Sequence, residues 1–248
     1  MSYNICVFFK RIKLLFLLFL NIYSNCALDN DVNTSNQTVL KKLRKSACIS
    51  LGYSCQVAHQ LNRANLRNCA FPFDWCFTPY NGLYLLIKNN FKSFFKKSNL
   101  KKLITDVQET GYGLTFVHDF PTIDSNELIE DGTKHIGLIS DNFLEAYERV
   151  KDKYNRRIER LKKILMTNGP IYLFRAFEIS KNEAIKLKNL LVSKFPKLNF
   201  LLTVLNDTDE FKKPWNIERL KNFWMLKAED WAGNDQDWDR VFIQLKLI

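Results

Sequence analysis

Residues 169–205, GPIYLFRAFEISKNEAIKLKNLLVSKFPKLNFLLTVL, decide the fold. After the Gly169-Pro170 break, Ile171 to Phe177 is a short apolar run of strand length. Ser180-Lys-Asn-Glu183 then spells a capping box, in which the serine hydroxyl and the glutamate side chain each satisfy a backbone N–H at a helix start. That helix runs through Leu187, Leu190 and Leu191, and Pro196 limits it. Asn199 to Leu205 is a second apolar strand. Strand, helix and strand in this order make a crossover unit whose strands lie parallel. The flanks repeat the alternation. Upstream, a long helix opens at Ser140 and carries Phe143, Tyr147, Val150, Tyr154, Ile158, Leu161 and Leu165 at three- and four-residue steps. Downstream, Asn222 to Ala228 predicts a third strand, and Asp235 to Leu247 a last helix with Trp238, Val241, Phe242 and Leu245 inward. The pattern predicts an α/β fold: a three-layer domain with a mostly parallel sheet flanked by helices.

The stretch Ser50 to Trp75, SLGYSCQVAHQLNRANLRNCAFPFDW, carries the chemistry. The apolar run Ala47 to Leu51 reads as a strand and Gly52 as a tight turn. Val57, Ala58, Leu61, Ala64 and Leu66 then repeat at helical spacing. Cys55 stands at the mouth of that helix, where unpaired N–H groups and the positive end of the helix dipole favour a thiolate. A thiol of pKa about 8.5 is a few per cent ionised at pH 7, and a fall of about 1.5 units makes it half ionised. Cys55 is the candidate nucleophile; the alternative is a small buried residue where the helix packs on the sheet. The loop Arg67 to Phe77 closes on Pro72-Phe-Asp-Trp75, with Phe73 and Trp75 as core anchors. Asp74 is held either by an arginine such as Arg67 or by backbone N–H groups.

Leu83, Leu86, Ile87, Phe91 and Phe94 predict a helix over 81–95, with the lysines of 96–102 at its end. Leu114, Phe116 and His118 share one face of a predicted strand that Pro121 ends, with Asp119 on the other face. If this strand adjoins the helix mouth, His118 is the base that deprotonates Cys55 and the acid that protonates a leaving group. His59, four residues after Cys55, competes for the role from the same helix face. His135, beside an Asp-Gly turn, reads as surface. Asp119, or Asn206 and Asp207 at the end of a later strand, are candidates to orient the imidazole. Arg175, inside an apolar strand, needs a partner; an ion pair with Glu178 or Asp74 and anion recognition are the two readings.

The segment SLGYSC, then LNRANLRNCAFPFDW, then His118-Asp119-Phe120, resembles the DUF1796 group of papain-like cysteine peptidases over most of the chain after about Ala47. The resemblance implies a Cys55–His118 catalytic pair and a papain-like α+β fold, an alternative to the three-layer domain. One departure is plain. The glutamine that such enzymes place before the cysteine for the oxyanion is missing, with Cys48 and Ile49 in its place. The N–H groups of Cys55 and Gln56, or the Gln56 side chain, are left to bind the oxyanion.

Composition sets the outer limits. A chain of 248 residues, 46% of them hydrophobic, suits one domain, placed at 44–248. Lys10, Arg11 and Lys13, the apolar block Leu14 to Tyr23 and the small exit Ser24 to Ala27 describe an export signal over 1–27, or an uncleaved anchor, shorter than the about 20 apolar residues of a membrane span. Residues 28–43 read as a flexible polar leader. Loss of the signal takes the net charge from +11 to +8. The charge is mostly lysine on helix faces, with no nucleic-acid motif, so no nucleic-acid partner is expected. Cys48, Cys55, Cys69 and Cys76 lack zinc-knuckle spacing, so no metal or other cofactor is expected. In an exported chain they permit three pairings, and any bridge through Cys55 would remove the nucleophile. Two functions remain: a thiol-dependent hydrolase or acyl transferase acting on a peptide or other acyl substrate, or a non-catalytic exported binding domain or sugar or nucleotide transferase with a structural Cys55.

Overall fold

The computed structural model describes residues 48–123, 137–177, 179–207, 213–226, 228 and 230–248. The expected export segment 1–27, the leader 28–43, His135 and Glu178 lie outside the described residues. In chain order the strands are β1 (Cys48–Ser50), β2 (Cys76–Phe77), β3 (Leu100–Lys102), β4 (Val107–Glu109), β5 (Leu114–Phe116), β6 (Thr122–Ile123), β7 (Leu138–Ile139), β8 (Ile171–Ala176), β9 (Phe200–Asp207) and β10 (Leu220–Met225). The helices are α1 (Gln56–Arg63), α2 (Tyr80–Lys88), α3 (Tyr147–Leu165), α4 (Lys181–Lys194) and α5 (Asp235–Gln244).

The crossover unit forms as its sequence dictates. Strands β1, β8, β9 and β10 make a wholly parallel sheet in that spatial order. The capping box at Ser180 and Glu183 is complete at the start of α4. Alternation sorts the sheet residues between two faces. Cys48, Phe174, Ala176, Leu205 and Met225 pack against Val57 and Leu61 of α1 and Trp238, Val241 and Phe242 of α5. On the other face Ile49, Leu173, Leu202 and Val204 are fully buried. The α4 side of the molecule meets them there: Asn206 Nδ2 donates to the Ile179 carbonyl at 2.9 Å, just ahead of α4. Burial on both faces explains why these strands are nearly continuous apolar runs. The architecture is therefore mixed α/β, a parallel sheet flanked by helices with antiparallel sheets beside it.

The chief antiparallel sheet, in the order β2-β5-β4-β3, builds a second core that is aromatic. Phe95, Phe116 and Tyr154 of α3 lie within 5.0–5.1 Å of one another, centroid to centroid. This core overrides local periodicity in two places. The helix expected over 81–95 stops at Lys88, and Asn90, Phe91, Ser93 and Phe95 take positive φ. The irregular turns deliver Phe91 to Phe73 and Phe95 to Tyr154, contacts that a straight helix could not make together. The lysines expected at that helix end instead lie in a short 3-10 turn, Lys97–Asn99, and in β3. Second, the strand expected to carry Leu114, Phe116 and His118 on one face ends at Phe116. Residues 117–120 bend, so that Val117, Asp119 and Phe120 are buried and His118 is exposed.

The two sheets meet where β1 ends. Gly52 turns the chain at φ +79°, and a Cβ there would lie 2.9 Å from Thr78 Oγ1. Thr78 N–H donates to the Tyr53 carbonyl at 3.0 Å. Arg175, fully buried, donates from Nη1 to the carbonyls of Leu51 at 3.2 Å and Thr78 at 2.8 Å. Of the two partners expected for Arg175, Asp74 is held by Arg67 instead and Glu178 lies outside the described residues; the buried guanidinium satisfies carbonyls that the sheet edge leaves open.

Gly52→Ala is expected to cost about 2–4 kcal/mol, because conformational strain and a collision with Thr78 add. At Gly113, also at φ +79° but with its nearest neighbour, Pro79 Cγ, 3.3 Å from the added methyl, alanine is expected to cost about 1–2 kcal/mol. Urea unfolding of the two variants checks the difference; equal losses would remove the steric argument.

Candidate active site

Strand β1 hands the chain to a turn of two positive-φ residues, Gly52 and Tyr53 at +84°. A tyrosine in that region is strained. Its ring is held edge-on by Phe77 at 6.2 Å and Phe177 at 6.0 Å, with the Arg175 guanidinium 5.8 Å from its centre. The turn sets Cys55 at the N-cap of α1, with helical φ −66° and ψ −19° and no capping bond from its side chain. The bend after β5 brings a second segment over it. Cys55 Sγ lies 3.7 Å from Nε2 of His118, 63 residues later in the chain.

The pair sits in the wall of a cleft of about 830 Å³, which Trp75, Phe77, Val117 and Trp231 make largely apolar. Trp75, expected as a core anchor, is only half-buried and lines this cleft, with its ring 6.5 Å from His118 and 5.7 Å from the Arg67 guanidinium. Phe73 alone of that pair is a core anchor. His59, the competing imidazole, packs edge-on to Trp231 at 5.0 Å.

The candidates for orienting His118 are engaged elsewhere. Asp119 is buried; its carboxylate pairs with Lys153 and accepts from the Tyr154 hydroxyl at 2.7 Å. Asn206 points its amide at Ile179 on the far face of the parallel sheet and does not line the cleft. Asp207 belongs to β9, and its side chain lies outside the described residues. Asp74 is a fastener: Arg67 grips Oδ2 at 2.8 and 3.0 Å and the Phe71 N–H donates to the same oxygen at 2.8 Å. Burial pushes the Asp74 carboxyl above its ordinary range, against the pull of Arg67 and the Phe71 N–H.

Gln56 is buried, and its side-chain Nε2 donates to the Trp231 carbonyl at 3.0 Å, which ties the first turn of α1 to the loop before α5. Its backbone N–H is held weakly, 3.4 Å from Ser54 Oγ. Of the donors open to an oxyanion, the backbone N–H is the better placed, since the side-chain amide is already committed.

The ionisation of Cys55 corrects the expectation drawn from its place at a helix mouth. Burial raises the thiol above its ordinary value; the residue's own backbone N–H pulls it down, and the Asp119 charge pushes it further up. A helix terminus contributes about 0.3–1 kcal/mol, under one pKa unit, whereas desolvation reaches several. Burial wins. Cys48, Cys55 and Cys76 are thiols, so none of the bridges through them is made. Among the described residues no cluster of three or more His, Cys, Asp or Glu side chains has metal-binding geometry. The sequence reading missed Arg157, which also lines the cleft from α3.

Burial pushes the thiols of Cys48 and Cys76 up to about 12. The folded chain keeps those protons at pH values where the unfolded chain has released them. Stability from the two thiols is thus complete below about pH 9 and is lost as pH rises toward 12, at up to about 1.4 kcal/mol per pH unit for each. Urea unfolding between pH 8 and 11 is expected to show this slope, and Cys48→Ala with Cys76→Ala to flatten it while lowering stability at pH 7. An unchanged slope would exclude these thiols as its source.

No solved structure matches the chain. An uncharacterised protein of Acanthamoeba polyphaga mimivirus is 24% identical over 225 residues, covering 79% of this chain and 96% of that protein. The family whose model spans residues 46–207, and with them the Cys55 thiol and the His118 ring, is described as "Putative papain-like cysteine peptidase (DUF1796)", and the chain belongs to it.

Proposed function

We propose that the chain is a thiol-dependent hydrolase or acyl transferase, most simply a cysteine peptidase, with Cys55 as nucleophile and His118 as its proton carrier. The observation that carries this reading is the 3.7 Å approach of sulfur and imidazole nitrogen from two distant segments at the wall of a large apolar cleft. In the reaction the Cys55 sulfur attacks a substrate carbonyl carbon, its proton passing to Nε2 of His118. The tetrahedral oxyanion takes hydrogen bonds from N–H groups of the first turn of α1, where that of Gln56 is weakly engaged. His118 returns the proton to the leaving nitrogen, the C–N bond breaks, and a thioester remains. Water, deprotonated by the same imidazole, cleaves the thioester and restores the thiol; another acyl acceptor in place of water gives transfer.

The raised thiol keeps its proton on the sulfur at rest, so His118 works as a general base at each turnover. The same shift speaks to alkylation. The Cys55 rate with iodoacetamide is expected to keep climbing beyond about pH 9.5, where an ordinary thiol of pKa about 8.5 is already about nine-tenths ionised and its rate levels off. His118→Ala is expected to lower that rate about tenfold at pH 7 and much less at pH 10, where hydroxide replaces the imidazole as base. Peptide mapping of the alkylated intact chain locates the modified residue. Labelling of Cys55 that ignores His118 at every pH would favour the binding-domain reading with a structural thiol. Cleavage of a mixed peptide pool, followed by mass spectrometry and lost in Cys55→Ala, is the expected activity.

A further inference from the structure

Arg157 faces inward from α3 and is only 9% exposed, yet it lines the cleft that holds Cys55 and His118. Its Nη1 is buried and, among the described residues, has no hydrogen-bond partner. Its guanidinium lies over the face of Tyr154, with the central carbon 5.4 Å from the ring centre. Of the acids around it Asp119 is engaged, while Asp74 is engaged through Oδ2 alone: its Oδ1 is buried without a hydrogen-bond partner among the described residues, and the Arg157 charge helps to hold the Asp74 carboxyl down. Asp119 is neutralised by Lys153 and hydrogen-bonded by Tyr154; Asp74 is gripped by Arg67 and the Phe71 N–H. A desolvated guanidinium with an open donor is costly to keep, and a bound anion offsets that cost.

We propose that Arg157 is the anion-binding group of the cleft and that the substrate is an acyl compound, in the simplest case a peptide, carrying a carboxylate next to an apolar group. The planar fork of the guanidinium matches a carboxylate. Trp75, Phe77, Val117 and Trp231 supply the apolar walls for the neighbouring group. The proposal rests on Cys55 being the nucleophile, and it adds the class of substrate that this nucleophile meets.

Two reagents of nearly equal size test it on the full chain: iodoacetate, which carries a carboxylate, and iodoacetamide, which does not. The iodoacetate-to-iodoacetamide rate ratio at Cys55 is expected to exceed that of glutathione, measured alongside, by about tenfold. Arg157→Gln is expected to abolish the excess, bringing the ratio at Cys55 down to that of glutathione. Phenylacetate at millimolar concentration is expected to protect Cys55 from iodoacetamide, and inorganic phosphate to protect poorly. A wild-type ratio equal to that of glutathione overturns the anion site but leaves the nucleophile standing, and it decides the matter even if the variant does not fold. An excess that survives in Arg157→Gln overturns the assignment to Arg157, and protection by phosphate alone overturns the carboxylate. No labelling of Cys55 by either reagent overturns the nucleophile and the proposal with it.

Discussion

The buried Arg175 guanidinium between the carbonyls of Leu51 and Thr78 is the tie on which the arrangement depends. It leaves β8 in the middle of the parallel sheet and reaches two chain ends at once: the end of β1, which leads into Cys55, and the end of β2, which is paired to β5 and so leads to His118. A fully buried cation is tolerated only where its hydrogens find acceptors. At this seam the acceptors are carbonyls that leave the parallel and the antiparallel sheet. The two bonds from Nη1 thus serve part of the guanidinium and set the spacing between the two halves of the site. Gly52 is the companion requirement, because a side chain there would push Thr78, and with it the antiparallel sheet, away from the turn.

Within that frame, the reactivity of Cys55 is a contest between two effects of one location. The helix mouth offers the sulfur a favourable dipole; burial beneath the cleft walls removes water that would solvate a thiolate. The magnitudes decide for burial. Asp119 adds to it, since a carboxylate nearby disfavours a second negative charge. The pairing of Asp119 with Lys153 limits that repulsion, so the ion pair below the site matters to the sulfur above it. His118 then supplies, at 3.7 Å, a basic site for the proton that the surroundings of the thiol do not.

Much of this is legible in the sequence. The capping box at Ser180, the break at Gly169-Pro170 and the apolar runs around them carry their meaning locally, and local signals survive into the fold. The aromatic core was not legible, because it is assembled from distant pieces. Nothing in the residues after Lys88 announces that Phe91 and Phe95 gain more by meeting Phe73 and Tyr154 than by extending a helix. His118 was found by its sequence company, yet its geometry was misjudged, because the bend after Phe116 is imposed by burial of Val117, Asp119 and Phe120. Arg157 had a signal that went unread. It lies three residues after Tyr154 and four before Leu161, on the apolar stripe of α3, where a charged residue has to be explained.

That position has a further consequence for how the cleft is built. Helix α3 places Lys153 and Arg157 in the cleft wall and the buried Tyr154 hydroxyl on Asp119 behind it. Lys153 and Tyr154 are spent on Asp119, which holds the bend of the His118 segment against the helix. One turn of helix therefore serves two ends, fixing the segment that bears the imidazole and setting the Arg157 guanidinium, with its open Nη1, in the wall of the cleft. A lysine in place of Arg157 would keep the charge but lose the flat face that lies over Tyr154, and a neutral residue would keep the packing but remove the guanidinium from the cleft wall. The guanidinium lies over the ring of Tyr154 and still forms part of the cleft wall, so a single side chain joins the aromatic core to the site at its boundary.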